Sequence, residues 1–149
     1  MTQALLWLTE ETWPAVVDAA RDLLPAGTEV TLLAIEPADV VEVAEGARAG
    51  LLGRRHRPHP PHELHAAALR AGEETLAAAR ARLDRPVQTL QRSGRVEREV
   101  VAAAAGFDLL LVARDGDARH PGPRSLGPAA RFVVDHAPCP VLLVYAGAR

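Results

Sequence analysis

Short runs of aliphatic residues recur along the chain and alternate with segments of helical periodicity. Four such runs occupy residues 4–8, 29–35, 108–112 and 140–144, and a weaker one occupies residues 87–90. A strand that is apolar at successive positions is buried on both faces, which is typical of a parallel sheet covered by helices. The runs therefore predict five strands of one sheet.

Four helical segments lie between these strands. The first follows Thr9 and Thr12, either of which is predicted to cap it, and carries Pro14 in its first turn. The others are predicted over residues 62–83, 96–105 and 128–136. The order β-α-β-α-β-α-β-α-β predicts an α/β fold with a doubly wound, Rossmann-like parallel sheet and helices on both faces, in one domain over residues 1–149.

The composition narrows the class of protein. Of the 149 residues, 48% are hydrophobic but only 3% are aromatic, so the core must be aliphatic. The net charge of −2 argues against nucleic acid as a partner. The single cysteine, Cys139, excludes an internal disulfide. The first residues resemble neither a signal peptide nor a membrane span, so we expect a cytoplasmic protein with no membrane partner.

The least regular segment covers residues 46–61, where glycine and proline recur, and it is predicted to be a long loop. Histidines recur at every third position from the end of this segment onward, at His56, His59, His62 and His65. In a polyproline II helix, which rises about 3.1 Å per residue, successive histidines lie about 9 Å apart, too far to share one ion. We interpret them as part of a solvated loop, with metal binding as the alternative.

Candidate ligand-binding residues follow from the sheet. Ligands of parallel sheets bind beyond the carboxyl ends of the strands, where the strand order reverses. Here these ends are followed by Thr9 and by a loop over residues 113–126, which contains glycines and arginines and leads into a helix. Glycine backbone and a helix N-terminus together form an anion cradle, although a solvated loop has the same composition.

The C-terminal third carries a more specific pattern. Residues 136–141 read His-Ala-Pro-Cys-Pro-Val, and Gly127 stands before them at the end of the glycine-containing loop. This segment resembles the signature region of the universal stress protein family, and the resemblance extends over the whole chain. It implies the strand order 3-2-1-4-5 and a homodimer in which the last strands, Val141–Tyr145, pair antiparallel. Such pairing also covers an apolar edge strand.

The family includes members that bind ATP, and the resemblance implies a candidate nucleotide site at Thr9, Ile35, Val112, Ala113, Arg114, Gly116, Gly127 and Pro128. Several positions depart from the binding pattern. Thr9 stands where binders have aspartate, Ala113 replaces a loop glycine, and Pro128 replaces a serine or threonine that offers a hydroxyl and an N–H to phosphate. Asp115 and Asp117 add negative charge. The resemblance therefore implies a degenerate site with weak or no ATP binding.

The sequence contains no Ser-His-Asp set, paired-carboxylate motif or P-loop, so no catalytic residue is assigned and we do not expect an enzyme. Our hypothesis is a regulatory module that acts through protein partners or another small ligand. The alternative is a switch that binds ATP with Mg²⁺ despite the altered motif, and a small phosphate-ester enzyme is a third candidate. Cys139 and Trp7 are interpreted as core residues, and Trp13 as a residue of the crevice mouth or of helix packing.

Overall fold

The computed structural model describes residues 1–37, 61–114 and 126–147. The strands are β1 (Gln3–Leu8), β2 (Glu29–Pro37), β3 (Val87–Gly94), β4 (Leu109–Arg114) and β5 (Val141–Tyr145). The helices are α1 (Trp13–Leu23), α2 (Pro61–Leu83), α3 (Val96–Ala104) and α4 (Pro128–His136). The predicted loop over residues 46–61 lies outside the described residues except for Pro61, which begins α2.

All five strands are parallel and lie in the order β3-β2-β1-β4-β5, which confirms the predicted fold. The central strand is β1, and its Leu6 is opposite Leu32 of β2 on one side and Leu111 of β4 on the other. The order reverses between β1 and β4, so the sheet has its switch point at the carboxyl ends of these two strands.

The side chains of β1 alternate between two aliphatic cores. Ala4, Leu6 and Leu8 pack on one face against α1 and α2, while Leu5 and Trp7 pack on the other against α3 and α4. Since successive side chains of a strand point to opposite faces, a strand buried on both faces must be apolar throughout. Trp7 is 7% exposed, as expected of a core residue.

Several strands are longer than the sequence predicts, and β2 runs to Pro37, beyond the predicted end at residue 35. β3 extends beyond residue 90 to Gly94, and β4 continues through Ala113 and Arg114, which were predicted to lie in a loop. The added residues pair through the backbone with a neighbouring strand, in the registers Gly94↔Pro37 and Arg114↔Tyr145. Backbone pairing leaves no apolar pattern in the sequence, and the polar end of β3 therefore escaped detection.

The start of α1 also differs from the prediction. Thr12 occupies the N-cap position, but its side chain makes no bond to the helix backbone. The Thr9 carbonyl instead accepts the Trp13 N–H at 3.0 Å, and the Thr9 and Thr12 hydroxyl oxygens lie 2.5 Å apart. Pro14 lies in the first turn, as expected.

Two arginines form hydrogen bonds that link elements on the α1 face of the sheet. The Arg82 guanidinium donates two hydrogen bonds to Asp18 of α1, at 2.7 and 2.6 Å, and lies 5.9 Å from the Trp13 ring. Trp13 is therefore a helix-packing residue. The Arg85 guanidinium donates to the carbonyls of Ala26 and Thr28 and so holds the turn that enters β2.

Among the described residues, no helix is long and apolar enough to cross a membrane.

The central position of β1 makes its leucines the most sensitive to truncation. Leu6 is fully buried, and Leu6→Ala should lower the free energy of unfolding by about 2–5 kcal/mol because it leaves a cavity. Leu23→Ala is the matched control, since Leu23 is 57% exposed and its truncation should cost less than about 0.5 kcal/mol. Urea unfolding followed by circular dichroism measures both, and equal losses for the two variants would contradict the two-core arrangement.

Candidate functional site

A cavity of about 480 Å³ opens where the strand order reverses, beyond the carboxyl ends of β1 and β4. We call it the switch-point cavity. Its wall includes Thr9 and Glu10 after β1, Ala113 of β4, and Gly127 and Pro128 at the start of α4. The sheet topology thus brings residues that are more than a hundred positions apart in sequence to one opening.

The start of α4 offers this cavity fewer donors than a usual helix N-terminus. Gly127 is the N-cap and Pro128 is the first helical residue, which has no N–H. No side chain caps the helix. The unbonded backbone N–H groups of the first turn therefore belong to Ala129 and Ala130, which also line the cavity. Two backbone N–H groups are therefore available at this end, and position 128 provides neither an N–H nor a hydroxyl.

The described lining of the switch-point cavity carries negative charge. Glu10 and Glu11 line it, and its lining among the described residues includes no arginine or histidine. Arg114, one of the candidate nucleotide positions, is the last residue of β4, and its guanidinium lies 4.4 Å from the centre of the Tyr145 ring. This contact links the last residue of β4 to the last residue of the edge strand β5.

A second cavity of about 330 Å³ lies beyond β2 and under α2, and we call it the α2-side cavity. It shares Trp7, Thr9 and Glu10 with the switch-point cavity. α2 approaches β3 closely here: a Cβ atom at Gly72 would lie 2.5 Å from Gln91 Nε2, which donates to the Leu69 carbonyl at 3.0 Å. The two cavities therefore form neighbouring parts of one crevice.

A buried carboxylate lies beside the α2-side cavity, and the sequence did not identify it. The Glu36 side chain is completely buried; its Oε1 lies 2.7 Å from His65 Nδ1 of α2, and its Oε2 accepts a hydrogen bond from the Ser93 hydroxyl at 2.8 Å. The available signal was an acidic residue directly after an apolar strand run. His65 was interpreted as part of a solvated loop, with metal binding as the alternative, because its partner lies far away in sequence.

The predicted nucleotide positions are divided among different environments. Thr9, Ala113, Gly127 and Pro128 line the switch-point cavity, and Ile35 lines the α2-side cavity. Val112 is fully buried in the core beneath them. Arg114 lies on Tyr145. Gly116, with Asp115 and Asp117, is outside the described residues. Binding of a nucleotide at these positions stays a prediction.

Two of the histidines, His65 and His136, have structural partners. His136 stacks on Phe132 with ring centres 4.1 Å apart, and its Nδ1 lies 2.8 Å from the Phe132 carbonyl oxygen. His56 and His59 lie outside the described residues. Within the described ranges, no group of three or more histidine, cysteine, aspartate or glutamate side chains could hold a metal ion.

Cys139 is half-buried and packs against the core on the α3 and α4 face. Burial raises the pKa of its thiol, and the Asp108 carboxylate raises it further. The thiolate is the reactive form, so a raised pKa lowers the fraction that can react at neutral pH.

Alkylation with iodoacetamide tests this placement of Cys139. The rate should keep rising with pH beyond about 8.5, the ordinary pKa of a free cysteine. Asp108→Asn should accelerate alkylation at a fixed pH, because removal of the negative charge lowers the pKa of the thiol. Asp135→Asn, at an exposed position of α4, is the matched control. A rate that levels off below that pH would contradict the raised pKa.

Comparison with known proteins gives one matching family model and a set of solved structures with a similar fold. The model of the Universal stress protein family matches residues 9–145. The structure of hypothetical protein MJ0577 is similar at a TM-score of 0.67 and 18% sequence identity, over 99% of this chain and 98% of that chain. UspA from Lactobacillus plantarum has a TM-score of 0.61 at 18% identity, over 96% of this chain and 97% of its own.

A third similar structure is that of a universal stress protein in complex with cAMP, with a TM-score of 0.57 at 16% identity and 98% of both chains covered. At these identities the solved structures show a shared fold and nothing finer. No curated protein matches the chain.

Proposed function

This chain belongs to the universal stress protein family, and from that membership we propose that it is a non-catalytic regulatory and binding module with a degenerate nucleotide site. ATP binds there weakly or not at all. The observation that carries the proposal is Pro128, which begins α4 at the edge of the switch-point cavity and provides neither an N–H nor a hydroxyl.

The free energies of the missing hydrogen bonds support weak binding of a triphosphate. A hydrogen bond to a charged group contributes about 1.5–3 kcal/mol, and about 1.4 kcal/mol corresponds to tenfold in Kd. The two donors missing at position 128 thus weaken binding by about two orders of magnitude or more. Glu10 and Glu11 oppose a polyanion further, since like charges repel within the range of screening.

A nucleotide with fewer charges is the second candidate ligand. The structure with a related fold that holds cAMP supports this alternative. In the present chain, the free N–H groups of Ala129 and Ala130 would suit a single phosphate better than three, because they are few and lie beside Glu10 and Glu11. This would make the chain a switch that responds to a nucleotide.

We also propose that the chain forms a homodimer through β5. The Pro140 carbonyl accepts from Leu110 and the Ala146 N–H donates to Arg114, so the even-numbered residues of β5 turn their backbone groups toward β4. In a parallel ladder the backbone groups of alternate residues point to opposite sides. Those of Val141, Leu143 and Tyr145 therefore point away from the sheet, where a second β5 strand would satisfy them.

Calorimetric titration tests the nucleotide site. Nucleotide-stripped protein should give no saturation with Mg-ATP below about millimolar concentration, which corresponds to about 4 kcal/mol of binding. Pro128→Ser should tighten ATP binding by at least about tenfold because it restores a hydroxyl and an N–H. Pro138→Ser, which changes an exposed proline between α4 and β5, is the matched control and should leave the affinity unchanged.

Micromolar ATP binding by the unaltered chain would overturn the degenerate-site proposal. Saturation by cAMP or AMP without ATP binding would favour the nucleotide switch. Formation of ADP or AMP by stoichiometric protein would contradict a non-catalytic role.

Sedimentation velocity tests the dimer. Leu143→Pro removes an outward N–H without removing a ladder bond to β4, so it should shift the protein to monomer while circular dichroism stays unchanged. Leu143→Val retains the N–H and is the matched control, which should remain dimeric. A monomeric unaltered chain, or a dimeric Leu143→Pro variant, would contradict pairing through β5.

A further inference from the structure

The two halves of α2 are held to the sheet in different ways. In the second half, residues 73–83, the side chains of Leu76, Ala79 and Leu83 are buried in the aliphatic core. In the first half, residues 61–72, none of the described side chains is buried, and none belongs to either core or packs against one. Since burial of an apolar face supplies most of the free energy that docks a helix, the first half lacks this source of stability.

Two polar contacts join the first half of α2 to the sheet. The Leu69 carbonyl accepts a hydrogen bond from Gln91 Nε2 of β3 at 3.0 Å. His65 Nδ1 lies 2.7 Å from Glu36 Oε1 of β2, although neither atom forms a well-aligned hydrogen bond with any described residue. A polar contact of this kind contributes less to stability than a buried leucine side chain. The first half is therefore held more weakly than the second.

The two halves meet at Gly72. After proline, glycine is the least favourable residue in the interior of a helix, because it loses the most backbone freedom there. Thr75, three residues later, is the first buried residue of α2 among those described. The helix is therefore weakest at the position where its buried face begins.

The first half of α2 covers an open volume, which explains why it buries so little. Ala68, Ala71 and Gly72 line the α2-side cavity of about 330 Å³, and Ile35 of β2 lines it from the sheet. The small side chains of α2 do not fill the space above the strand. Release of the first half would open this cavity without exposing the aliphatic core beneath the second half.

We propose that residues 61–72 form a lid over the α2-side cavity, which releases from the sheet while residues 73–83 stay docked. Gly72 is the boundary of the movement, and the contacts of His65 and Leu69 close the lid. Segments with few buried apolar contacts open locally at a lower free energy than the core, and the walls of ligand sites are often such segments. The lid goes beyond the proposed function, since it controls access to the crevice whatever ligand binds there.

Hydrogen exchange of the backbone amides, resolved by residue with NMR at neutral pH, tests the lid. In the unaltered protein, the amides of residues 65–71 should exchange at least about a hundredfold faster than those of residues 76–83. The amides of residues 61–64 are left out of the comparison, because the first four N–H groups of any helix have no partner within it. Equal protection of the two halves would overturn the lid.

Two variants distinguish a closed lid from a helix end that only frays. Glu36→Gln removes the charge beside His65, and Gln91→Leu removes the donor to the Leu69 carbonyl. Each should accelerate exchange in residues 65–71 by at least about threefold, because each removes one of the contacts that close the lid. Exchange in the second half of α2 should stay unchanged in both, since its docking depends on the core.

Glu29→Gln and Gln88→Leu are the matched controls, because they make the same changes at exposed positions of β2 and β3 and should exchange as the unaltered chain does. The thermal midpoint shows whether each variant is folded, and Gln91→Leu decides the outcome if Glu36→Gln is not. Unchanged exchange of the first half would show simple fraying, and equal acceleration of both halves would show that α2 opens as one unit. Either result would overturn the lid, and neither depends on the ATP titration.

Discussion

The burial of β1 on both faces is the constraint on which the rest of the structure depends. Its side chains alternate between two aliphatic cores, so each face of the sheet needs its own layer of helices. With β2 on one side and β4 on the other, the chain must reverse its direction of travel across the sheet at β1. The crevice beyond Leu8 is a consequence of this arrangement and exists whatever residues line it.

The described residues of the crevice give this opening a negative electrostatic character. A polyanion requires donors and positive charge, whereas the described walls bear the carboxylates of Glu10 and Glu11. Arg114, at the end of β4, lies against an aromatic ring of the edge strand. The missing donors at Pro128 and the negative charge of Glu10 and Glu11 therefore act in the same direction, against a triphosphate.

The sequence was most informative where burial leaves a pattern. The aliphatic runs predicted every strand, because each strand contributes side chains that lie in a core or pack against one, and the Cys139 segment predicted the family. The end of β3 and the end of β4 were missed, since backbone pairing at Gly94 and Arg114 is indifferent to side-chain type. The contact between Glu36 and His65 could not be predicted either, because it joins elements whose spacing depends on how α2 packs on the sheet.

The close approach at Gly72 has a further consequence for how this crevice can diversify. A Cβ atom there would meet the Gln91 amide, which would have to turn away from the Leu69 carbonyl. Because that amide is the end of a flexible side chain, a small residue at position 72 would cost this hydrogen bond and leave α2 in place. Gly72 also lines the α2-side cavity, so a methyl group at this position exchanges a tie between α2 and β3 for a narrower opening.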